Sequence, residues 1–67
     1  MIDYQKAVIE LRDKLILTQS ELANLLGVSF ASINRWERGQ NKPTTAAKRK
    51  IVELCNEHKI EIEEAKE

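Results

Sequence analysis

The side chains with the greatest capacity for specific chemistry are the guanidinium, ammonium and carboxamide groups between residues 29 and 50. Glu37 is the one acidic residue of this segment. The cations of the segment are Arg35, Arg38, Lys42, Lys48, Arg49 and Lys50. Guanidinium and carboxamide groups can form paired hydrogen bonds with base edges, and cations attract phosphate. The segment therefore has the chemistry of a surface for a polyanion, although a charge run can also be an ordinary solvated face.

The whole chain is formally neutral, with 11 basic and 11 acidic residues. From Ile51 onward the carboxylates dominate: Glu53, Glu57, Glu61, Glu63, Glu64 and Glu67 stand against Lys59 and Lys66. Local potential, and not net charge, steers a charged partner. Neutrality therefore does not exclude a nucleic-acid partner.

Other chemistries find little support in the residue types. Cys55 and His58 are single in the chain, so we expect no internal disulfide, no metal site and no cofactor. Cys55 reads as a small core residue and His58 as a partly buried imidazole. There is also no phosphate-binding glycine loop and no nucleophile–base set, so we expect no enzyme.

With 67 residues, the chain is expected to form a single domain over 1–67. No apolar run is long enough for a membrane span, and Asp3 interrupts any signal-peptide core. We therefore expect a cytoplasmic protein.

Helical periodicity indicates the first two elements. One apolar face, made by Tyr4, Ala7, Val8, Leu11 and Leu15, predicts a helix from about Asp3 to Lys14. Thr18 and Glu21 form a capping box that starts a second helix at Gln19. This helix carries inward Leu22, Ala23, Leu25 and Leu26. Gly27 ends it, since glycine adopts the left-handed conformation cheaply.

Two further helices follow the same logic. Ser29 caps a third helix, over 30–38, which turns Ile33 and Trp36 inward and stops at Gly39. Thr44 or Thr45 caps a fourth, whose apolar stripe is Ala47, Ile51, Leu54, Cys55 and His58. Residues 59–67 form either a short fifth helix or a frayed acidic tail. The predicted fold is all-α, a compact bundle of four to five short helices.

Two short helices separated by about three residues, with Gly27 opening the turn, form a helix-turn-helix from Gln19 to Arg38. The segment Leu15–Thr44 reads LILTQSELANLLGVSFASINRWERGQNKPT. Through TQSELA, LLGVS, INRWERG and KPT it resembles the DNA-binding domain of lambda-repressor/Cro-like regulators, the xenobiotic-response-element family. This resemblance implies a sequence-specific regulator that binds double-stranded DNA and places the recognition helix 30–38 in the major groove.

The resemblance also implies roles for particular residues. The base-reading positions are Phe30, Ala31 and Arg35, with Ser32 and Asn34 beside them. By their chemistry, Arg35 suits guanine, Asn34 suits adenine, and Phe30 or Ala31 suits a thymine methyl group. The phosphate contacts are Gln19, Ser29, Arg38, Asn41 and Lys42. Arg12 by its charge could contact a phosphate, but the resemblance favours its pairing with Glu37, which clamps the first helix to the recognition helix.

Several of these positions have alternative interpretations. Many relatives carry polar residues where this chain has Phe30 and Ala31, which shifts base reading toward Arg35 and DNA shape. Phe30 could instead pack within the domain or at a dimer contact. Gln19 and Arg35 could be solvated helix residues, while Trp36, three residues after Ile33, belongs in the core.

The family resemblance also implies partners. Relatives bind palindromic operators as homodimers, with half-sites roughly 34 Å apart, and act as repressors or as antitoxin-type autoregulators, which makes a toxin a candidate partner. Weak dimer candidates are Ile60, Ile62 and Phe30. The alternatives are a module that binds only protein, which the cationic segment disfavours, and RNA binding, for which Phe30 is the one aromatic platform.

Overall fold

The computed structural model describes residues 2–62, and within them the chain forms four α-helices. They are α1 (Tyr4–Leu15), α2 (Gln19–Leu26), α3 (Phe30–Glu37) and α4 (Thr45–Glu57). The predicted all-α helix-turn-helix fold is confirmed, with α2 and α3 as the two motif helices. Residues 58–62 are not helical, so the predicted fifth helix does not begin there, and 63–67 lie outside the described residues.

Every helix begins at a side-chain oxygen that accepts a hydrogen bond from the backbone amide three residues later. Around Thr18 the predicted capping box is confirmed, because its backbone amide also donates to Glu21 Oε1 at 2.9 Å. The fourth cap is Thr44 and not Thr45. The four cap bonds are Lys6 to Asp3 (3.0 Å), Glu21 to Thr18 (3.1 Å), Ser32 to Ser29 (3.2 Å) and Ala47 to Thr44 (3.3 Å).

Every helix is also followed by a residue in the left-handed conformation. Gly27 and Gly39 were expected there and have φ of 71° and 74°. Ile16 and Lys59, with φ of 55° and 57°, were not foreseen. The next amide then donates back to the last turn: Leu17 to Arg12 (2.9 Å), Val28 to Ala23 (2.9 Å), Gln40 to Arg35 (2.9 Å) and Ile60 to Cys55 (2.7 Å). These bonds pair helix-end carbonyls that would otherwise lack partners.

The recognition helix is one residue shorter than its predicted range of 30–38. It ends at Glu37, and Arg38 is its C-cap with φ of −88° and ψ of −4°. Gly39 then turns the chain to the left-handed region, so the backbone leaves the helix at Arg38.

The core lies between the four helices: α1 packs against α3 and α4, and α2 also packs against α3 and α4. Its buried members are Ala7, Val8, Leu11, Leu22, Ala23, Leu26, Ile33, Trp36, Ala47, Ile51, Leu54 and Cys55. The inward placement of Leu25 was wrong, since 43% of its surface is exposed. Leu22, Ala23 and Leu26 set the buried face, and Leu25 lies beyond its edge. No helix within residues 2–62 is long and apolar enough to cross a membrane.

Candidate nucleic-acid interface

One face of helix α3 packs against the core, and the opposite face is exposed to solvent. Ile33 is fully buried and Trp36 is 5% exposed, which anchors the helix on the core. Side chains three and four residues apart share a helix face, and Ala31, Arg35 and Arg38 form such an exposed row. The exposed row is where an outside ligand can reach α3.

The five predicted base-reading residues all lie outside the core. Phe30 has 51% of its surface exposed, Ala31 and Arg35 are exposed, and Ser32 and Asn34 are half-buried. Phe30 is thus neither a core residue nor a fully solvated one, and its exposed half is available to DNA or to a protein. Trp36, the other aromatic residue of α3, belongs to the core.

The start of α3 is organised by two serines. Ser29 Oγ accepts from the amide of Ser32 at 3.2 Å and lies 3.0 Å from Ser32 Oγ. Each hydroxyl retains further hydrogen-bonding capacity. The first amides of a helix have no intrahelical acceptor, so this end of α3 presents donors of the kind that suit a phosphate.

The loop after α3 carries the other polar residues predicted to contact phosphate. Arg38, Asn41 and Lys42 are exposed, while Pro43 is buried. The buried proline anchors the loop on the body of the protein and has a fixed φ. The polar side chains before it are therefore carried by a short, anchored connection between α3 and α4.

The inner side of α3 is linked to α1 by an ion pair. Arg12 Nε lies 2.7 Å from Glu37 Oε2 and Arg12 Nη2 lies 3.0 Å from Oε1. The hydrogen bond with Glu37 raises the pKa of Arg12 above its ordinary value. The side chains are 32% and 10% exposed respectively. Arg12 also donates to the carbonyl of Leu17 at 3.3 Å, which ties the α1–α2 turn to the same pair.

Gln19, expected on phosphate, has a further contact that the sequence reasoning missed. Its Nε2 donates to Glu37 Oε1 at 3.2 Å and the residue is half-buried. A carboxamide has two N–H groups and an acceptor oxygen, so this bond uses only part of its capacity. Gln19 thereby joins α2 to the α1–α3 link.

Gln5 is a second residue that sequence reasoning missed. Its Nε2 donates to the backbone carbonyl of Glu37 at 3.0 Å. The available signal was spacing, because Gln5 precedes Arg12 by seven residues and a helix places such residues on one face. Glu37 therefore receives hydrogen bonds from three side chains on two other helices.

Two of the residues predicted to form a dimer contact pack instead within the domain. Ile60 and Ile62 are half-buried and pack against the core. The large apolar side chains that are exposed within the described residues are Ile9, Ile16, Leu25 and Phe30. Of the predicted dimer candidates, Phe30 alone belongs to this exposed set.

Comparison with known proteins identifies the same motif. A family model described as Helix-turn-helix matches residues 8–62. The chain is also 43% identical over 48 aligned residues to the Type II methyltransferase M.SsoII of Shigella sonnei, in a match that covers 67% of this chain and 13% of that protein. No solved structure matches. The family match covers the ion-paired helices and the exposed row of α3, and the chain belongs to the lambda-repressor/Cro-like family of helix-turn-helix DNA-binding domains.

Proposed function

We propose that the protein is a sequence-specific transcriptional regulator that places α3 in the major groove of double-stranded DNA. The observation that carries this proposal is the division of α3 into a held face and a free face. Ile33 and Trp36 are buried, Glu37 is bonded to α1 and α2, and the opposite row is exposed. A major groove admits one helix, and a rigidly held helix keeps its reading side chains in register.

Base reading is assigned to the exposed side of α3. Arg35 is the central reader, since a guanidinium can bond both guanine O6 and N7. Asn34 pairs with adenine, Phe30 and Ala31 contact thymine methyl groups, and Ser32 lies beside them. With few hydrogen-bonding readers, part of the selectivity comes from the shape of the DNA.

Grip on the backbone is assigned to residues at both ends of the motif. Gln19 and Ser29 lie at the starts of α2 and α3, where helix amides favour a phosphate. Arg38, Asn41 and Lys42 follow the end of α3. Contacts of this kind position a protein without selecting sequence.

The proposed assembly is a homodimer on a palindromic operator, acting as a repressor or an antitoxin-type autoregulator, with a toxin as a candidate protein partner. Two recognition helices would then lie about 34 Å apart, one turn of DNA. The methyltransferase activity named for the relative is not part of the proposal, since the match covers 13% of that protein. No catalytic step is assigned to the chain.

The test begins with selection of binding sites from random duplexes by the purified protein. Fluorescence anisotropy then gives the affinity for the selected site and for random DNA. We expect a selected site with two-fold symmetry and clear discrimination against random DNA. Absence of binding to pooled random duplexes at low salt would contradict the proposal.

Arg35→Ala and Arg49→Ala form a matched pair, because both remove one exposed guanidinium and only Arg35 is assigned to a base. Arg35→Ala is expected to cost about 1–3 kcal/mol on the selected site and to relax choice at one base position. Arg49→Ala should weaken all sequences slightly and equally. Equal loss on every sequence for Arg35→Ala would remove its assigned role.

A further inference from the structure

The backbone carbonyls at the C-terminal end of α3 are paired both by the residues that follow the helix and by a side chain of another helix. The last four carbonyls of a helix lack intrahelical partners. In α3 three of them are paired by the residues that follow: Asn34 by the Arg38 amide (3.1 Å), Arg35 by Gln40 (2.9 Å) and Trp36 by Gly39 (3.1 Å). The remaining carbonyl, that of Glu37, is left to a partner from elsewhere.

That partner is Gln5 on α1, whose Nε2 donates to the Glu37 carbonyl at 3.0 Å. The same carboxamide lies against Gly39: a Cβ placed on Gly39 would be 3.1 Å from Gln5 Oε1 and 3.3 Å from Nε2. These distances are shorter than ordinary van der Waals contact, so the Gln5 carboxamide occupies the space that a side chain at position 39 would need. Gln5 is therefore bonded to the last residue of α3 and lies beside Gly39, where the chain turns away from the helix.

The surroundings of Gln5 connect this contact to the proposed DNA face. Gln5 and Gly39 line a cleft of about 160 Å³ between the N-terminal segment and the α3–α4 loop, together with Asn41, Lys42 and Pro43. Asn41 and Lys42 are assigned to backbone phosphates. Gln5 thus lines, from α1, the same cleft as the loop residues that are assigned to phosphates.

We propose that Gln5 is a positioning residue for DNA reading, which holds the end of α3 and the start of the α3–α4 loop in a fixed relation. The inference rests on the proposed function. Arg35 on α3 and Asn41 in the loop must reach their targets together, and a frayed helix end would have to be ordered again on binding. Reordering costs conformational entropy, and it costs most on a site that requires both contacts at once.

Gln5→Ala and Asn56→Ala provide the test, because each removes an exposed helical carboxamide and Asn56 lies on α4 outside the interface. We expect Gln5→Ala to weaken binding to the selected site about threefold to tenfold, the range of one hydrogen bond. Binding to random DNA should change less than about twofold. Asn56→Ala should match the wild type on both. Equal loss on both DNAs, or no loss, would overturn the inference.

Gln5→Glu tests whether the N–H donor of Gln5 is required. It keeps the size of the side chain and replaces the carboxamide by a carboxylate, which cannot donate at neutral pH. Its added charge weakens binding to all DNA, so the readout is the ratio of the two affinities. We expect this ratio to fall at least as far as in Gln5→Ala. A ratio of the two affinities equal to that of the wild type would show that the hydrogen bond from Gln5 to Glu37 has no role in DNA reading.

A readout without DNA comes from amide hydrogen exchange in the free protein. The amides of Gly39 and Gln40 bond back to α3 at 3.1 and 2.9 Å, and the Val28 amide makes the equivalent 2.9 Å bond at the end of α2. Gln5→Ala should accelerate exchange at Gly39 and Gln40 and leave Val28 unchanged. Equal change at all three, or none, would overturn the positioning role.

The outcomes separate this inference from the proposed function. If the wild type binds no duplex, both fail together. If the wild type discriminates its site and Gln5→Ala discriminates it equally well, the inference alone fails.

Discussion

At the scale of single residues, Glu37 has a central position because its carboxylate accepts from Arg12 and Gln19 while its carbonyl accepts from Gln5. The Glu37 side chain is 10% exposed, and hydrogen bonds between charged groups are stronger than neutral ones. A partly buried pair specifies geometry and leaves an uncompensated charge when one partner is removed. The orientation of α3 therefore depends on a few polar bonds in addition to apolar packing.

Glu37→Ala is expected to lower the free energy of unfolding by about 2–3 kcal/mol, because it leaves the Arg12 guanidinium without its partner. Arg12→Met added to Glu37→Ala should cause little further loss of stability. The loss in the double variant will then be smaller than the sum of the losses in the two single variants. Urea unfolding followed by circular dichroism measures all four proteins. Glu53→Ala, at an exposed site on α4, is the control, and additive losses would show that the pair is not coupled.

Glu21 gives a prediction with a pH dependence. Hydrogen bonds from the backbone and hydroxyl of Thr18 hold the pKa of Glu21 below its ordinary value of 4.5. The unfolded chain then binds the proton more tightly than the folded chain. The contribution of Glu21 to the free energy of unfolding is therefore complete above the ordinary pKa and is lost as pH falls through the pKa of the folded state. Glu21→Gln should be less stable than the wild type at pH 7, and the gap should close in acid. A gap independent of pH would contradict the assignment.

At the scale of elements, the ends of the helices combine two glycines with two residues that have a Cβ. Ile16 has φ of 55° with 89% of its surface exposed. A β-branched residue in the left-handed region is strained, at about 1–2 kcal/mol, and an exposed side chain recovers little of this by packing. The turn after α1 is therefore held by its hydrogen bonds against the preference of its own residue.

Ile16→Gly is expected to raise the free energy of unfolding by about 0.5–1 kcal/mol, since relief of strain exceeds the added entropy of glycine. Gly27→Ala is the reverse control: at φ of +71° a Cβ would meet nothing within 4 Å, so its cost is backbone strain alone. We expect that variant to be less stable, and thermal unfolding measures both. A loss of stability in Ile16→Gly would mean that the isoleucine side chain contributes more than its exposure indicates.

The helix ends also show which parts of the fold can be predicted from sequence. Thr18, Glu21, Gly27 and Gly39 act locally, and local patterns predicted them. Ile16 carries no such signal, since its conformation is imposed by the turn. The contacts of Gln5 and Gln19 with Glu37 span 32 and 18 residues, and periodicity within one helix does not predict partners on another.

At the scale of the whole molecule, opposite charges are separated along a neutral chain. The cations are concentrated between residues 29 and 50 and the anions follow. Association with a polyanion depends on the potential at the contacting face, so we expect strong salt dependence from a protein of zero net charge.

Of the five residues assigned to phosphates, Arg38 and Lys42 are cations. Two neutralised phosphates per protomer predict a slope of about −1.8 for the logarithm of the association constant against that of the salt concentration. Arg38→Gln should reduce the magnitude of this slope by about one and leave the choice of sequence unchanged. Lys50→Gln removes an exposed cation of α4 as the control. Anisotropy titrations at several salt concentrations measure the slope, and a wild-type value near zero would exclude backbone contacts as the source of grip.

The division of α3 into a held and a free face has a consequence for how this protein can change. Ile33, Trp36 and Glu37 keep the helix in place, whereas the side chains of Ala31 and Arg35 are exposed and lie outside the core. Substitutions at these two positions should alter the preferred operator and leave unfolding unchanged. New specificities would then be reachable through single substitutions that each retain a folded protein, because the exposed positions of α3 can change while Ile33, Trp36 and Glu37 stay constant.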